Sequence, residues 1–199
     1  MRFLSLVALA AVLALPASAQ ATFLVKGGLN TAFLTGDLAD GLDPRLGAVA
    51  GAGVRFDLTR SVSLQAEALY SQKGAEDKDI VDPGTYRLDY LEVPVLVRFA
   101  VPVSPYADAG LYAGPSIGIP IGAEFRSDDS EALDIDYDGD LKTDIGLALG
   151  ADFWSGPVGI DVRYVAGLSD VFEDGRGLRD VRNGALQLTL GLRFGGGRY

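Results

Sequence analysis

The groups in this chain that could do chemistry are almost all carboxylates, guanidiniums and ammoniums. There is no Cys and no His. Their absence removes the commonest nucleophile–base pairs and the usual transition-metal ligands. It also removes thiol chemistry and disulfides. Two carboxylate constellations remain. Glu92 and Asp108 lie on successive segments and could form an acid–base pair. The plainer reading is charge pairing with Arg98 or Arg163, since ion-pair networks perturb carboxylates without doing chemistry. The run Asp134-Ile135-Asp136-Tyr137-Asp138-Gly139-Asp140 matches the first half of a calcium loop, with oxygen donors at positions one, three and five and then a Gly for the turn. The match then fails: Lys142 takes the ninth position, and Ile145 the twelfth, where a bidentate Glu belongs. Asp128, Asp129 and Glu131 could add oxygen ligands nearby. A divalent cation at Asp134–Asp140 is therefore kept as a candidate partner, and no catalytic, cofactor-binding or metal residue is assigned.

The elements that must position these groups are strands. From Tyr86 to Gly118 the chain alternates with a period of two. Leu91, Val93, Val95, Val97 and Phe99 share one face; Glu92, Pro94, Leu96 and Arg98 share the other. After a turn at Val101–Pro105, Ala107, Ala109, Leu111 and Ala113 alternate with Asp108, Gly110, Tyr112 and Gly114. The same pattern marks six further strands: Thr22–Thr31, Leu46–Asp57, Val62–Lys73, Lys142–Trp154, Val158–Leu168 and Asn183–Phe194. Gly110, Gly114, Gly118 and Gly122 mimic a helix-dimer motif, but Pro115 and Pro120 lie among them. Spacing of four also sets all four glycines on one strand face, where they leave room inside a narrow barrel.

Eight strands of about ten residues or more suit a bilayer crossed at a tilt. Connections after strands two, four and six are tight; the others are long and polar, the longest being Pro120–Leu141. Short turns on one side and long loops on the other are the pattern of bacterial outer-membrane barrels. The expected fold is all-β: an eight-stranded antiparallel up-and-down transmembrane β-barrel. Its polar faces would bring Glu67, Glu92, Asp108, Asp144, Asp152 and Asp161 into the lumen with Lys26, Arg55, Arg98, Arg163 and Arg193. Buried charges persist only when paired, so a salt-bridge network is expected. Phe56, Phe99, Phe153, Trp154 and Phe194 end strands on the short-turn side, and Tyr70, Tyr86 and Tyr90 lie toward the long loops, like two interfacial girdles. Most of the 27 acidic residues fall in the long loops. The net charge of −10 argues against nucleic acid, whose phosphates need a basic surface.

The N-terminus carries Arg2, an apolar run to Leu15, Pro16 and the small triplet Ala17-Ser18-Ala19. This reads as a signal peptide over residues 1–19, cut after Ala19, with the barrel domain over 20–199. YLEVPVLVRF, PYADAGLYAG, DIGLALGADF, DVRYVAGLSDV and LQLTLGLRF resemble the small porin-like, or PorT-type, family of outer-membrane β-barrels. The resemblance runs from Gln20 to about Phe194 and implies a barrel in a Gram-negative outer membrane. It implies outer-membrane lipid and, during insertion, the barrel-assembly machinery as partners; it implies no cofactor and little about activity. Outer-membrane barrel enzymes generally rely on His, so a non-enzymatic structural or interaction role through the acidic extracellular loops is expected. A narrow channel for ions or small solutes is one alternative. A soluble periplasmic barrel binding an apolar ligand is another, and it requires the apolar faces to point inward.

Overall fold

The computed structural model describes residues 21–36, 42–77, 84–127, 142–169 and 181–195. Within them run β1 (Ala21–Thr35), β2 (Leu42–Asp57), β3 (Val62–Asp77), β4 (Gly84–Ser104), β5 (Ala107–Ser127), β6 (Asp144–Ser155), β7 (Val158–Gly167) and β8 (Arg182–Gly195). Each pairs antiparallel with the next, and β8 pairs with β1 to close the barrel. The paired residues can be followed once round, through Ala21, Phe56, Leu64, Val97, Ala113, Leu149, Tyr164 and Leu186. The circuit returns to β1 at Thr31, ten residues on from Ala21. Such a stagger tilts eight strands by roughly 40° and leaves an interior just wide enough for side chains.

The strands outrun the sequence-based boundaries at several points. β1 continues to Thr35, β2 starts at Leu42 and β3 runs to Asp77. The hairpin of β4 and β5 is the longest, each strand having 21 residues. Part of the expected Pro120–Leu141 loop is thus strand, paired with β4 as far as Gly84↔Ser127. At the other end β4 continues to Ser104, leaving only Pro105 and Tyr106 as the turn. Backbone pairing already in progress propagates along two neighbouring strands whether or not their side chains alternate cleanly, and this explains the extra length.

Parity sorts the side chains as expected. Leu111 is 68 % exposed and Leu190 65 %, while Lys26, Glu67, Glu92 and Arg163 are buried. Apolar residues therefore face outward and charges inward, which excludes the barrel with inward apolar faces. Phe23, Phe99, Phe153 and Phe194 point outward near the turn side. Trp154 and Tyr90 correct the girdle expectation: both are 0 % exposed and stand inside the lumen. Each alternates with an outward neighbour, Phe153 and Leu91, so strand parity overrides position at a strand end. Tyr70 and Tyr164 do face outward; the Tyr86 side chain lies outside the described set.

The outward band yields a depth-dependent prediction. Leu149, mid-way along β6, is 57 % exposed. Leu149→Arg should cost about 2–4 kcal/mol of folding stability in bilayers, and Val158→Arg, beside a turn, about 0–1 kcal/mol. Urea titration followed by the gel shift between folded and unfolded barrel measures both. Equal costs at the two depths would contradict an apolar band centred on Leu149.

Candidate functional site: the charged lumen

The lumen charges form three groups along the barrel. On the turn side, β4 supplies Arg98, β5 Asp108, β6 Asp152, β2 Arg55 and β8 Arg193. Arg98 Nη2 lies 2.5 Å from Asp152 Oδ1 and 2.5 Å from Asp108 Oδ1. Arg193 Nη1 donates to Asp108 Oδ2 at 2.8 Å, and Arg55 Nη2 to Asp152 Oδ2 at 3.2 Å. The Trp154 indole is flanked by the Arg55 and Arg193 guanidiniums, 5.4 and 5.3 Å from its centroid. A Cβ on Gly159 would run into that indole, so only glycine lets it lie flat against the wall.

In the middle, Lys26 Nζ bridges Glu67 Oε1 at 2.8 Å and Asp161 Oδ2 at 3.1 Å. Arg163 Nη2 meets Glu67 Oε2 at 2.8 Å. The Tyr112 hydroxyl donates to Asp161 Oδ2 at 2.8 Å and accepts from Arg163 Nε at 3.2 Å. Toward the loops, Lys73 Nζ lies 2.8 Å from Glu92 Oε1 and 3.4 Å from Asp144 Oδ2. Gln187 Nε2 donates to Glu92 Oε2 at 2.8 Å, and Asn183 Nδ2 to Asp144 Oδ2 at 3.2 Å. Leu96, Tyr112, Ala148, Val165 and Ala185 form an apolar cluster within this polar interior.

All eleven charges expected in the lumen are there. Sequence reading missed a twelfth, Lys73, by treating it as the last residue of a strand. Its even spacing from Ser63, Gln65, Glu67 and Ser71 was the available signal. With it, six acids pair with six bases among the described residues; Arg45, buried at the loop end of β2, adds a seventh base that donates to the Lys73 carbonyl at 2.6 Å. Among the paired twelve, the group toward the turns carries one base in excess and the middle balances; toward the loops one acid is in excess, on the side where Arg45 lies.

The acid–base pair weighed for Glu92 and Asp108 does not form. Glu92 stands opposite Gly118, and Asp108 opposite Pro102, ten residues away along the hairpin. Glu92 is held by Lys73, and Asp108 by Arg98 and Arg193. No group of three or more acidic side chains fit to hold a metal occurs among the described residues. Asp134–Asp140 lies outside those residues, as do residues 1–19, where a signal peptide is expected. A gap lined by Lys26, Val49, Leu69, Asp161, Arg163 and Gln187 is too small to admit a water molecule.

A closed barrel, apolar outside and charged within, narrows the comparison with known proteins to membrane barrels. The outer membrane protein beta-barrel domain model matches residues 18–173. The chain belongs to this family. Among solved structures, OprG from Pseudomonas aeruginosa is 12 % identical with a TM-score of 0.50, covering 89 % of this chain and 98 % of that one. Neisserial surface protein A is 12 % identical with a TM-score of 0.50, covering 86 % and 97 %. Ail, the attachment invasion locus protein of Yersinia pestis, is 17 % identical with a TM-score of 0.46, covering 88 % and 99 %. No curated protein matches. At such identities OprG and the Neisserial protein share the fold and nothing finer. Family membership and the inverted polarity place the chain in the outer membrane as an integral barrel. β8, beyond the matched segment, supplies the closure.

Proposed function

We propose that this outer-membrane barrel is a closed, non-enzymatic scaffold that presents its long acidic loops to partners outside the cell. The observation that carries the reading is the filled lumen: twelve mutually paired charges, packed with Trp154, Tyr112 and Tyr90. An ion crossing it would have to break pairs that are out of water, and breaking one buried pair costs about 3–5 kcal/mol. The loops supply the other half of the argument, because most of the 27 acidic residues lie in them. Partners with a cationic face, or divalent cations, match that charge. In this reading the 1–19 leader is removed and the barrel-assembly machinery inserts residues 20–199.

Planar-bilayer recording tests the closed scaffold against the narrow channel. Purified, heat-modifiable barrel should add no resolved single-channel steps to the baseline under an applied voltage. Reproducible steps that disappear on boiling the sample would overturn the scaffold reading and favour the channel.

A further inference from the structure

We propose that the tip of the β4–β5 hairpin is an anchor that lies on the lipid of the inner leaflet, extending the barrel's membrane contact beyond its aromatic rim. Pairing of β3 with β4 ends at Val62↔Phe99, closed by Ala100 N donating to Ser61 O at 2.8 Å. β4 then continues to Ser104, paired only with β5. Val103 is four residues beyond Phe99, about 13 Å further along the strand. Val101, Val103 and Tyr106 are 65 %, 61 % and 67 % exposed. Val101 shares the outward parity of Val95, Val97 and Phe99 and continues the lipid-facing wall; Val103, at the register shift between Pro102 and Ser104, stands exposed beyond it.

Charge distinguishes this turn from its neighbour. No charged residue lies between Arg98 and Asp108, whereas the β2–β3 turn carries Asp57 and Arg60. A tip that entered water would gain nothing from so long an uncharged run; one at the boundary of acyl chains and headgroups would, with Tyr106 as the amphipathic residue suited to that depth. A protein that added a strand to the free edge of β4 is the competing occupant, and the backbone opposes it. Ala100 turns its N–H toward β3, so the next donor on that edge would be residue 102, which is Pro102 and has none. Proline at that place blunts a sheet edge.

The native chain has no Cys, so single spin labels can be placed without other changes. Val103→Cys and Tyr106→Cys would be labelled in bilayers of phosphatidylethanolamine and phosphatidylglycerol, with Val97→Cys as the lipid reference and Arg60→Cys as the water reference. The ratio of collisions with oxygen to collisions with a water-soluble nickel chelate reports depth. At position 103 the ratio should be several-fold above that at 60 and close to that at 97, with 106 between the two references. A ratio at 103 equal to that at 60 would overturn the anchor. The boiling-dependent gel shift establishes in each variant that the barrel is folded; two independent labelled positions guard against one that is not.

Discussion

Arg163→Met should destabilise the folded barrel by about 3–5 kcal/mol, the cost of breaking a buried pair while leaving its partner charged. Arg163 is 2 % exposed and reaches Glu67 at 2.8 Å. Without it, Glu67 and Asp161 must share the single ammonium of Lys26, and the middle of the lumen gains an uncompensated negative charge. The loss therefore lies in leaving a carboxylate buried without enough positive charge, more than in the ion pair as such. This gives the prediction a second part. Arg163→Met combined with Glu67→Gln restores one-to-one pairing of Lys26 with Asp161 and should recover at least half of the loss. Urea titration in lipid or detergent, followed by the gel shift, measures both variants. Losses that simply add would show that lost packing, and not charge imbalance, sets the cost.

Trp154→Ala should cost a similar amount, about 3–5 kcal/mol, the range for truncating a large buried aromatic. The indole is 0 % exposed, flat against Gly159, with the Arg55 and Arg193 guanidiniums within 5.4 Å of its centroid. Its removal leaves a hole between Arg55 and Arg193 that neither neighbouring glycine nor a strand held in a closed ladder can fill. Two cation–π contacts go with it. Trp154→Phe keeps a ring in the slot and should lose clearly less. Placed outward at the rim, Trp154 would make the Ala variant nearly neutral in detergent; a loss below about 1 kcal/mol would therefore contradict the lumen position, being within the range of surface substitutions.

Much of the fold was legible from the sequence because a strand's side chains alternate strictly, and a membrane barrel assigns the two faces opposite solvents. Leu147, Leu149 and Phe153 against Asp144, Gly150 and Asp152 already separate the lipid face from the lumen face of β6. Where the reading left parity for position, it failed. Trp154 and Tyr90 were set at the membrane rim because they end strands near it, although their own alternation points them inward. Lys73 escapes any reading that ends its strand at that residue.

The sequence alone determined the number of strands, the sorting of turns and loops, which residues face inward and the near-neutrality of the interior. Strand pairing and the closure of the barrel decided which charge meets which. Lys26 and Asp161 are 135 positions apart in the chain, and nothing local relates them. They meet because the registers of all eight strand pairs add up to the ten-residue stagger that brings β1 and β7 to the same depth across a narrow lumen. The register of the β4–β5 hairpin separates Glu92 from Asp108, and closure brings both Arg55 and Arg193 against Trp154. Periodicity is a property of one strand at a time, so it reports a side chain's face; its partner depends on the sum of all the registers, which no single stretch contains.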